Sequence, residues 1–243
     1  MKNHFLILSL NEEKYLKKTF LELKEAIKEN ELSDFKIVII DDGSTDKTLE
    51  VANKIKLEID NDVQIISNIK NIGPANSIKN YINKESSGKL FIISGDNDLD
   101  KEMLKNLIIG SKHADFVMSY YINREKKGWF RANISTLLNL FLCTLFNVYA
   151  FYIQGPCVWP IEVVKKFNLK ANGIAYVLEA NIKLLYSNLK FSEVSGYMNT
   201  ASKNSTSLSL SNLIDILKTI CLLFYEIKIK KKFTMKSERI KFI

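Results

Sequence analysis

Two short acidic segments hold the residues best placed to do chemistry. In IVIIDDGSTDKT, Ile37 to Thr48, four apolar residues run into Asp41 and Asp42, then a glycine and small polar residues. LFIISGDNDLD, Leu90 to Asp100, repeats the pattern: an apolar run ends in Asp96, Asn97 and Asp98. In parallel sheets, ligands bind beyond the carboxyl ends of the strands. A carboxylate there can accept hydrogen bonds from ribose hydroxyls or base N–H groups. Two carboxylates one residue apart can point toward one cation. Oxygen ligands without histidine or thiolate favour Mg²⁺ or Mn²⁺ over zinc. Such an ion would bridge a diphosphate and neutralise its charge as it leaves. A helix cap and a solvated turn would account for DDGSTD alone, and an acidic loop for GDNDLD alone. Two acidic strand ends in one sheet are the stronger signal.

Placing both segments on one rim requires a particular scaffold. HFLILSL reads as a first strand, with Asn11 capping a helix that carries Glu12 and Glu13 in its first turn and Leu16, Phe20, Leu23 and Ile27 at helical spacing. FKIVII, VQII, KLFIIS and DFVMS read as four more strands. Helices are expected over Thr48 to Ile59, from Pro74 onward, and around Leu104, Leu107 and Ile108. Apolar strands alternating with amphipathic helices predict an α/β fold, a mostly parallel sheet with helices on both faces.

The second half differs. Ile134 to Ile153 is a long apolar stretch, interrupted by Asn139, Thr144 and Asn147, and is expected as a buried or membrane-resting helix rather than a span. Leu208 to Ile229 predicts a last amphipathic helix, followed by the basic segment KIKKKFTMKSERIKF. This divides the chain into a main domain, 1–205, and a C-terminal helix with basic tail, 206–243. Apolar burial plus attraction to anionic lipid would hold such a segment on a membrane surface. Arg124, Lys126, Lys127 and Arg131 form either a solvated charge run or a cradle for an acceptor phosphate. Glu179, in the mainly apolar GIAYVLEANIKLLY, is either a surface residue or faces the cleft.

Composition narrows the classes. The 243 residues are 47% hydrophobic, enough for one core, and 35 basic against 27 acidic residues give a net charge of +8. That balance favours an anionic partner. Nucleic acid is not expected, because the cations lack an aromatic-interleaved stripe or a nucleic-acid motif. Cys143, Cys157 and Cys221 lie far apart and read as buried thiols in a reducing compartment; His4 and His113 are isolated, so zinc is not expected. The N-terminus runs straight into a strand, without the pattern of a signal peptide.

The order SLNEE, IVIIDDGSTDKT, NIKNIGPANSIKNYI, SGKLFIISGDNDLD resembles the family 2 glycosyltransferases of GT-A (Rossmann-like) fold. GPCVWPIEVVKKFNL, GIAYVLEANIKLLYSNLKFSEVS and SKNSTSLSLSNLIDILKTI resemble, in order, their polyprenyl-phosphate branch, the dolichol-phosphate mannose synthase group. The similarity covers about residues 3 to 225. It implies that Asn11 and Glu12 stand in the loop leading into the nucleotide site. Asp42, with Asp41 beside it, stands where the base or ribose is held, and Asn71 and Gly73 form the turn near the base. Asp96 and Asp98 occupy the D-x-D metal positions, with Mg²⁺ or Mn²⁺ as cofactor. Asp100 falls where the branch usually has Gln. An arginine that the branch carries after the fifth strand is replaced by SYYINR, where Arg124 is the substitute; Lys203 is the cation nearest another missing arginine.

The implied activity is hexosyl transfer, with inversion, from a nucleoside diphosphate sugar to a polyprenyl phosphate. The enzyme would be cytoplasmic and peripheral to the inner face of the cytoplasmic membrane. Asp96, Asp98 and Glu179 are the expected catalytic residues, and Arg124, Arg131 and Lys203 the expected acceptor contacts. Two alternatives stay open: a saccharide hydroxyl acceptor, which needs a general base, and a non-catalytic nucleotide-sugar-binding protein.

Overall fold

The computed structural model describes residues 2–199 and 209–241. Strands β1 (Asn3–Ser9), β2 (Phe35–Asp41), β3 (Gln64–Ser67) and β4 (Lys89–Ser94) alternate with helices α1 (Leu16–Glu29), α2 (Thr48–Glu58) and α3 (Pro74–Lys84). Helix α4 (Lys101–His113), strand β5 (Phe116–Tyr121), helix α5 (Trp129–Phe146) and strand β6 (Cys157–Pro160) follow. The chain closes with α6 (Ile161–Val164), α7 (Ala175–Leu184), β7 (Lys190–Gly196), α8 (Leu210–Phe224) and β8 (Glu238–Arg239).

The eight strands form one sheet in the order β3-β2-β1-β4-β6-β5-β7-β8. All pairs are parallel except those made by β6, which lies antiparallel between β4 and β5. Alternation along the strands splits the core. Phe5 and Ile7 face α1, α2 and α4, while Leu6, Val38 and Trp159 face α3, α5, α7 and α8. The chain passes from β1 outward to β2, then back past β1 to β4. This reversal opens a crevice at the carboxyl ends of β1, β2 and β4.

The five expected strands and the Pro74 helix are present, and the sheet is mostly parallel as expected, with the antiparallel β6 an addition. Several local expectations are corrected. Asn11 does not cap α1: it is left-handed, at φ 59°, and the helix begins at Leu16. The apolar stretch does not run on to Ile153; Asn147 ends α5 in the left-handed conformation, at φ 49°. Cys157 is buried, but Cys143 is only half-buried and Cys221 is exposed.

The expected boundary at 205/206 lies outside the described residues; beyond it, the C-terminal helix packs on the main core. Ile216, Ile220, Leu223 and Ile227 join the cluster that holds Trp159 and Leu178. The tail then returns to the sheet, where Glu238 and Arg239 pair with Lys190 and Phe191. Both α5 and α8 leave apolar side chains in solvent: Trp129, Phe130, Leu137, Leu140 and Phe141 on one, Leu210, Leu213, Ile214 and Leu217 on the other. By length and composition alone α5 could cross a membrane, yet only 11% of it is buried.

Candidate active site

The crevice rim is built by two turns that lean on each other. Gly43, at φ 74°, follows β2 so closely to the next turn that a Cβ would stand 2.6 Å from Asn71 N. Asp42 holds that second turn. Its Oδ1 accepts from Asn68 Nδ2 at 2.7 Å and from the Ser77 hydroxyl and Ile72 N at 3.2 Å; its Oδ2 accepts from Gly73 N at 2.9 Å. Gly73 sits at φ 85° and Pro74 opens α3. The Asn11–Glu13 loop is latched to the other side. Asn11 Oδ1 accepts from Thr45 N at 2.9 Å, and Glu12 N donates to Thr48 Oγ1 at 2.7 Å.

Beyond β4, Asp96 and Asp98 flank Asn97, which is left-handed at φ 57°. Asp96 Oδ1 accepts from Asp98 N at 3.2 Å, and Asp98 Oδ2 accepts from the Tyr121 hydroxyl at 2.8 Å. Asn199 fastens the loop, donating through its side chain to Asn97 O and Leu99 O, both at 3.2 Å. Burial, then the charge of Asp96, pushes the Asp98 carboxyl well above the usual range. Burial also pushes Glu12 up, to about 7, with the charges of Asp96, Asp46 and Asp98 adding to it. Negative charge is thus concentrated against desolvation, as a cation site requires. The all-oxygen donor set fits Mg²⁺ or Mn²⁺, which retain waters and need only one or two carboxylates. Among the described residues no cluster of three or more such side chains forms a complete metal site.

Two cavities occupy the crevice. The first, about 480 Å³, is lined by Glu12, Asp42, Asn71, Asp98 and Tyr121, among others. The second, about 350 Å³, lies between α5 and α8 with Ile134, Leu138, Leu213 and Ile216 in its wall and Arg131 and Tyr152 beside them. They share Pro74, Lys127, Gln154, Tyr176 and Val177. Lys127 rests on two aromatic faces, 4.7 Å from the Tyr121 ring centroid and 5.1 Å from that of Tyr152.

Glu12, Asp42, Asn71 and Asp98 therefore meet in the first cavity, and Arg131 lies in the second. Asp96 stands beside Asp98, half-buried, and Gly73 lies in the turn that Asp42 holds. The remaining expected site residues stand elsewhere. Asp41 is buried and serves its own turn, accepting from Ser67 Oγ at 3.2 Å and Ser44 N at 3.3 Å. Asn11 is a loop latch. Arg124 lines neither cavity; its guanidinium lies 4.6 Å from the Tyr152 ring centroid and donates to Ser135 Oγ at 3.1 Å. Asp100 caps α4, accepting from Met103 N at 2.8 Å. Lys203 lies outside the described residues.

Glu179 needs the largest correction. It is fully buried, neither on the surface nor on the cleft wall. Its Oε2 accepts from Lys170 N and Ala171 N at 2.8 Å, and its Oε1 from Lys183 Nζ at 2.7 Å. Both carboxylate oxygens are engaged in a buried network rather than presented to the cleft. Tyr121, Gln154 and Tyr176 were not singled out as site residues. Lys127 reads in the sequence, with Arg124, Lys126 and Arg131, as either a solvated charge run or a phosphate cradle. The QGP turn at Gln154 was hidden by the apolar residues before it, although Gly155 reflects a real demand: a Cβ there would collide with the Ser119 carbonyl.

Fold and cleft together define the GT-A class. The chain belongs to glycosyl transferase family 2, whose profile matches residues 5–152. Among solved structures, Staphylococcus aureus TarS residues 1–349, in complex with UDP-GlcNAc, is similar with TM-score 0.64 at 16% identity, over 93% of this chain and 66% of that one. This chain therefore spans slightly under two thirds of the TarS structure's length. Mannosyl-3-phosphoglycerate synthase from Rubrobacter xylanophilus gives 0.70 at 14% identity, over 97% and 76%. Glucosyl-3-phosphoglycerate synthase from Mycobacterium tuberculosis, in complex with phosphoglyceric acid, gives 0.64 at 14%, over 94% and 80%. At these identities the likeness concerns the fold. No curated protein matches the sequence.

Proposed function

We propose that the protein transfers a hexosyl group from a nucleoside diphosphate sugar to a polyprenyl phosphate at the cytoplasmic face of a membrane. The observation that carries this reading is the junction of the two cavities. A carboxylate-lined cavity at the strand ends opens, at Lys127, into a mostly apolar cavity between two helices whose outer faces are also apolar.

The donor would occupy the first cavity, its base and ribose near Asp42 and Asn71 and its diphosphate toward Asp98. Asp96 and Asp98 would hold Mg²⁺ or Mn²⁺, which supplies charge neutralisation to the diphosphate. The acceptor phosphate would lie at the junction beside Lys127, with Arg131 along the second cavity and its hydrocarbon against Ile134, Leu138, Leu213 and Ile216. An acceptor oxygen forms a bond to the anomeric carbon from the face opposite the diphosphate. The bond from that carbon to the diphosphate oxygen breaks, its electron pair staying on oxygen, and the anomeric centre inverts. A phosphate oxygen is already anionic, so no proton must be removed. That suits the second cavity, where no carboxylate lies in the wall among the described residues. A saccharide hydroxyl would need a general base there, and Glu179 is committed elsewhere.

The exposed apolar faces of α5 and α8, flanked by Lys126, Lys127, Arg131 and Lys218, would rest on anionic lipid. The test incubates the full chain and Mn²⁺ with labelled UDP-, GDP-, CDP- and dTDP-sugars, in turn, and undecaprenyl phosphate in detergent. Label entering the organic phase with one donor supports the reading. Transfer only to soluble hydroxyl acceptors would replace the acceptor. Donor binding with neither transfer nor hydrolysis would make the protein a nucleotide-sugar-binding module.

A further inference from the structure

The C-terminal tail was expected to be a basic segment on a membrane surface, yet its last described strand reaches the cleft's supporting loop. On β8, Arg239 Nη2 makes an ion pair with Glu193 Oε2 of β7 at 2.5 Å and donates to Tyr149 O at 2.5 Å. Its guanidinium also lies over the Phe151 and Phe191 rings, 5.4 and 5.5 Å from their centroids. Glu193 is 4% exposed, and its Oε1 accepts from Phe151 N at 2.6 Å. One ion pair therefore grips the Tyr149–Phe151 turn by a carbonyl, an amide and a ring. The next residue is Tyr152. Its hydroxyl accepts from Ser135 Oγ at 3.0 Å, and its ring carries Arg124 at 4.6 Å and Lys127 at 5.1 Å.

We propose that Arg239 and Glu193 are a positioning pair for the cleft: they fix the Tyr149–Phe151 turn, and through it the Tyr152 ring on which Arg124 and Lys127 rest. Arg239 lines neither of the two crevice cavities and acts through the turn. The planar guanidinium suits this task, because it pairs with a carboxylate, donates to a carbonyl and stacks on rings at once. A polar-to-apolar relay results: tail strand, turn, aromatic platform, cleft cations. The donor carboxylates Asp42, Asp96 and Asp98 follow β2 and β4 and are held by other contacts. The pair therefore bears on the acceptor side, an inference that rests on the reading of the second cavity as the acceptor cavity.

Arg239→Ala, Arg239→Lys and Glu193→Gln are compared with the parent, each as the full chain. With undecaprenyl phosphate in detergent, Arg239→Ala and Glu193→Gln should raise the acceptor KM about fivefold or more. Affinity for the nucleoside diphosphate with Mn²⁺ should stay within twofold, and Arg239→Lys should recover part of the loss. Amide hydrogen exchange is measured on the same proteins. Arg239→Ala should speed exchange both at residues 149–154 and at residues 124–128, with β1 to β4 unchanged. A lowered melting temperature with both constants unchanged would make the pair merely structural and overturn the proposal. Donor and acceptor constants failing together would do the same. Should the parent not transfer to the lipid at all, the acceptor reading falls, and the exchange data still decide the pair: faster exchange confined to residues 149–151 overturns it.

Discussion

The Tyr121 hydroxyl donates to Asp98 Oδ2 at 2.8 Å, tying the end of β5 to the acidic loop beyond β4. Tyr121 is buried, Asp98 is half-buried, and both line the first cavity. The bond orients one carboxylate and leaves the other Asp98 oxygen for a ligand. Lys127 lies over the same Tyr121 ring, so one side chain links the carboxylates to the cleft cation.

This relationship makes the metal assignment testable at three residues. Asp96→Asn and Asp98→Asn should each abolish Mn²⁺-dependent binding of nucleoside diphosphate while leaving the melting temperature nearly unchanged. Tyr121→Phe removes one hydrogen bond to a charged group, worth about 1.5–3 kcal/mol. Its affinity should fall by roughly tenfold or more. Titration calorimetry with and without Mn²⁺ reads all three. Undiminished Mn²⁺-dependent affinity in both aspartate variants would remove the pair from the metal site.

Glu179 and Lys183 should matter for stability rather than chemistry. Lys183 is 1% exposed and pairs with Glu179 at 2.7 Å and Glu226 at 3.0 Å, joining α7 to the turn after α8. Lys183→Met would leave the buried Glu179 carboxylate without its counter-charge, a loss of about 3–5 kcal/mol, while Glu226 keeps Lys232 at 3.4 Å. Chemical denaturation should show that loss, with nucleotide affinity of the folded protein within twofold. A Glu179→Gln protein of unchanged stability and no activity would restore Glu179 as a candidate base.

How far the sequence could be read follows from where each constraint lies. Asp42, Asp96 and Asp98 were legible because local pattern decides them: an apolar run that ends in carboxylates is a strand end. Pro74 was legible for the same reason. Glu179 was not, because its burial and its bonds from Lys170 N and Ala171 N arise only when the preceding loop packs on α7, although Lys183 lies one helical turn away. Strand β6 is four residues long and antiparallel, and CVWP carries no alternation to announce it. Strand β8 is set by pairing with β7, so the tail's charges suggested a lipid surface while its backbone joined the sheet. Asn11 shows the limit of capping rules. Its side chain does bond a backbone amide, but that of Thr45 across the cleft rim rather than one in its own helix.

Acid should destabilise the protein through His4. Its ring is buried, with Nδ1 2.9 Å from the Tyr81 hydroxyl. Burial, then the charge of Lys36, lowers its pKa from 6.5 to about 4. The unfolded chain therefore takes up a proton below pH 6.5 that the folded chain refuses until about pH 4. The associated stability is present above pH 6.5 and is lost as pH falls through this window, by at most about 3 kcal/mol. His4→Gln should flatten the denaturation midpoint between pH 7 and pH 4.5 relative to the parent. An equally steep fall in the variant would place the acid sensitivity elsewhere.

Membrane attachment is best tested by point substitution, because deleting residues 208–243 would strip Ile216, Leu223 and β8 from the core and sheet. Leu137→Glu, Phe141→Glu and Leu217→Glu change exposed side chains only. Each buried large apolar side chain contributes about 1.5–3 kcal/mol. Each change should weaken sedimentation with phosphatidylglycerol vesicles by roughly tenfold or more, at unchanged melting temperature. A parent chain that never sediments with such vesicles would be a soluble enzyme.

The acceptor itself is decided by the cations at the cavity junction. Lys127 borders both cavities and Arg131 the second, whereas Arg124 supports Tyr152 and Ser135 from behind. A phosphate acceptor needs charge compensation more than proton removal. A charge-assisted contact to it contributes about 1.5–3 kcal/mol. Lys127→Ala and Arg131→Ala should therefore each raise the KM for polyprenyl phosphate by roughly tenfold to over a hundredfold. Arg124→Ala should have a smaller effect, since it acts through the ring. Arg131→Ala should spare donor binding, because Arg131 lines the second cavity and not the first. Glu12 offers the contrast: its carboxyl, pushed to about 7 by burial and by its acidic neighbours, lines the first cavity and is not one of the two residues assigned to the metal. If Glu12→Gln abolished transfer to a soluble sugar hydroxyl while the Lys127 and Arg131 changes were silent, the acceptor would be a hydroxyl, and the second cavity would have some other occupant.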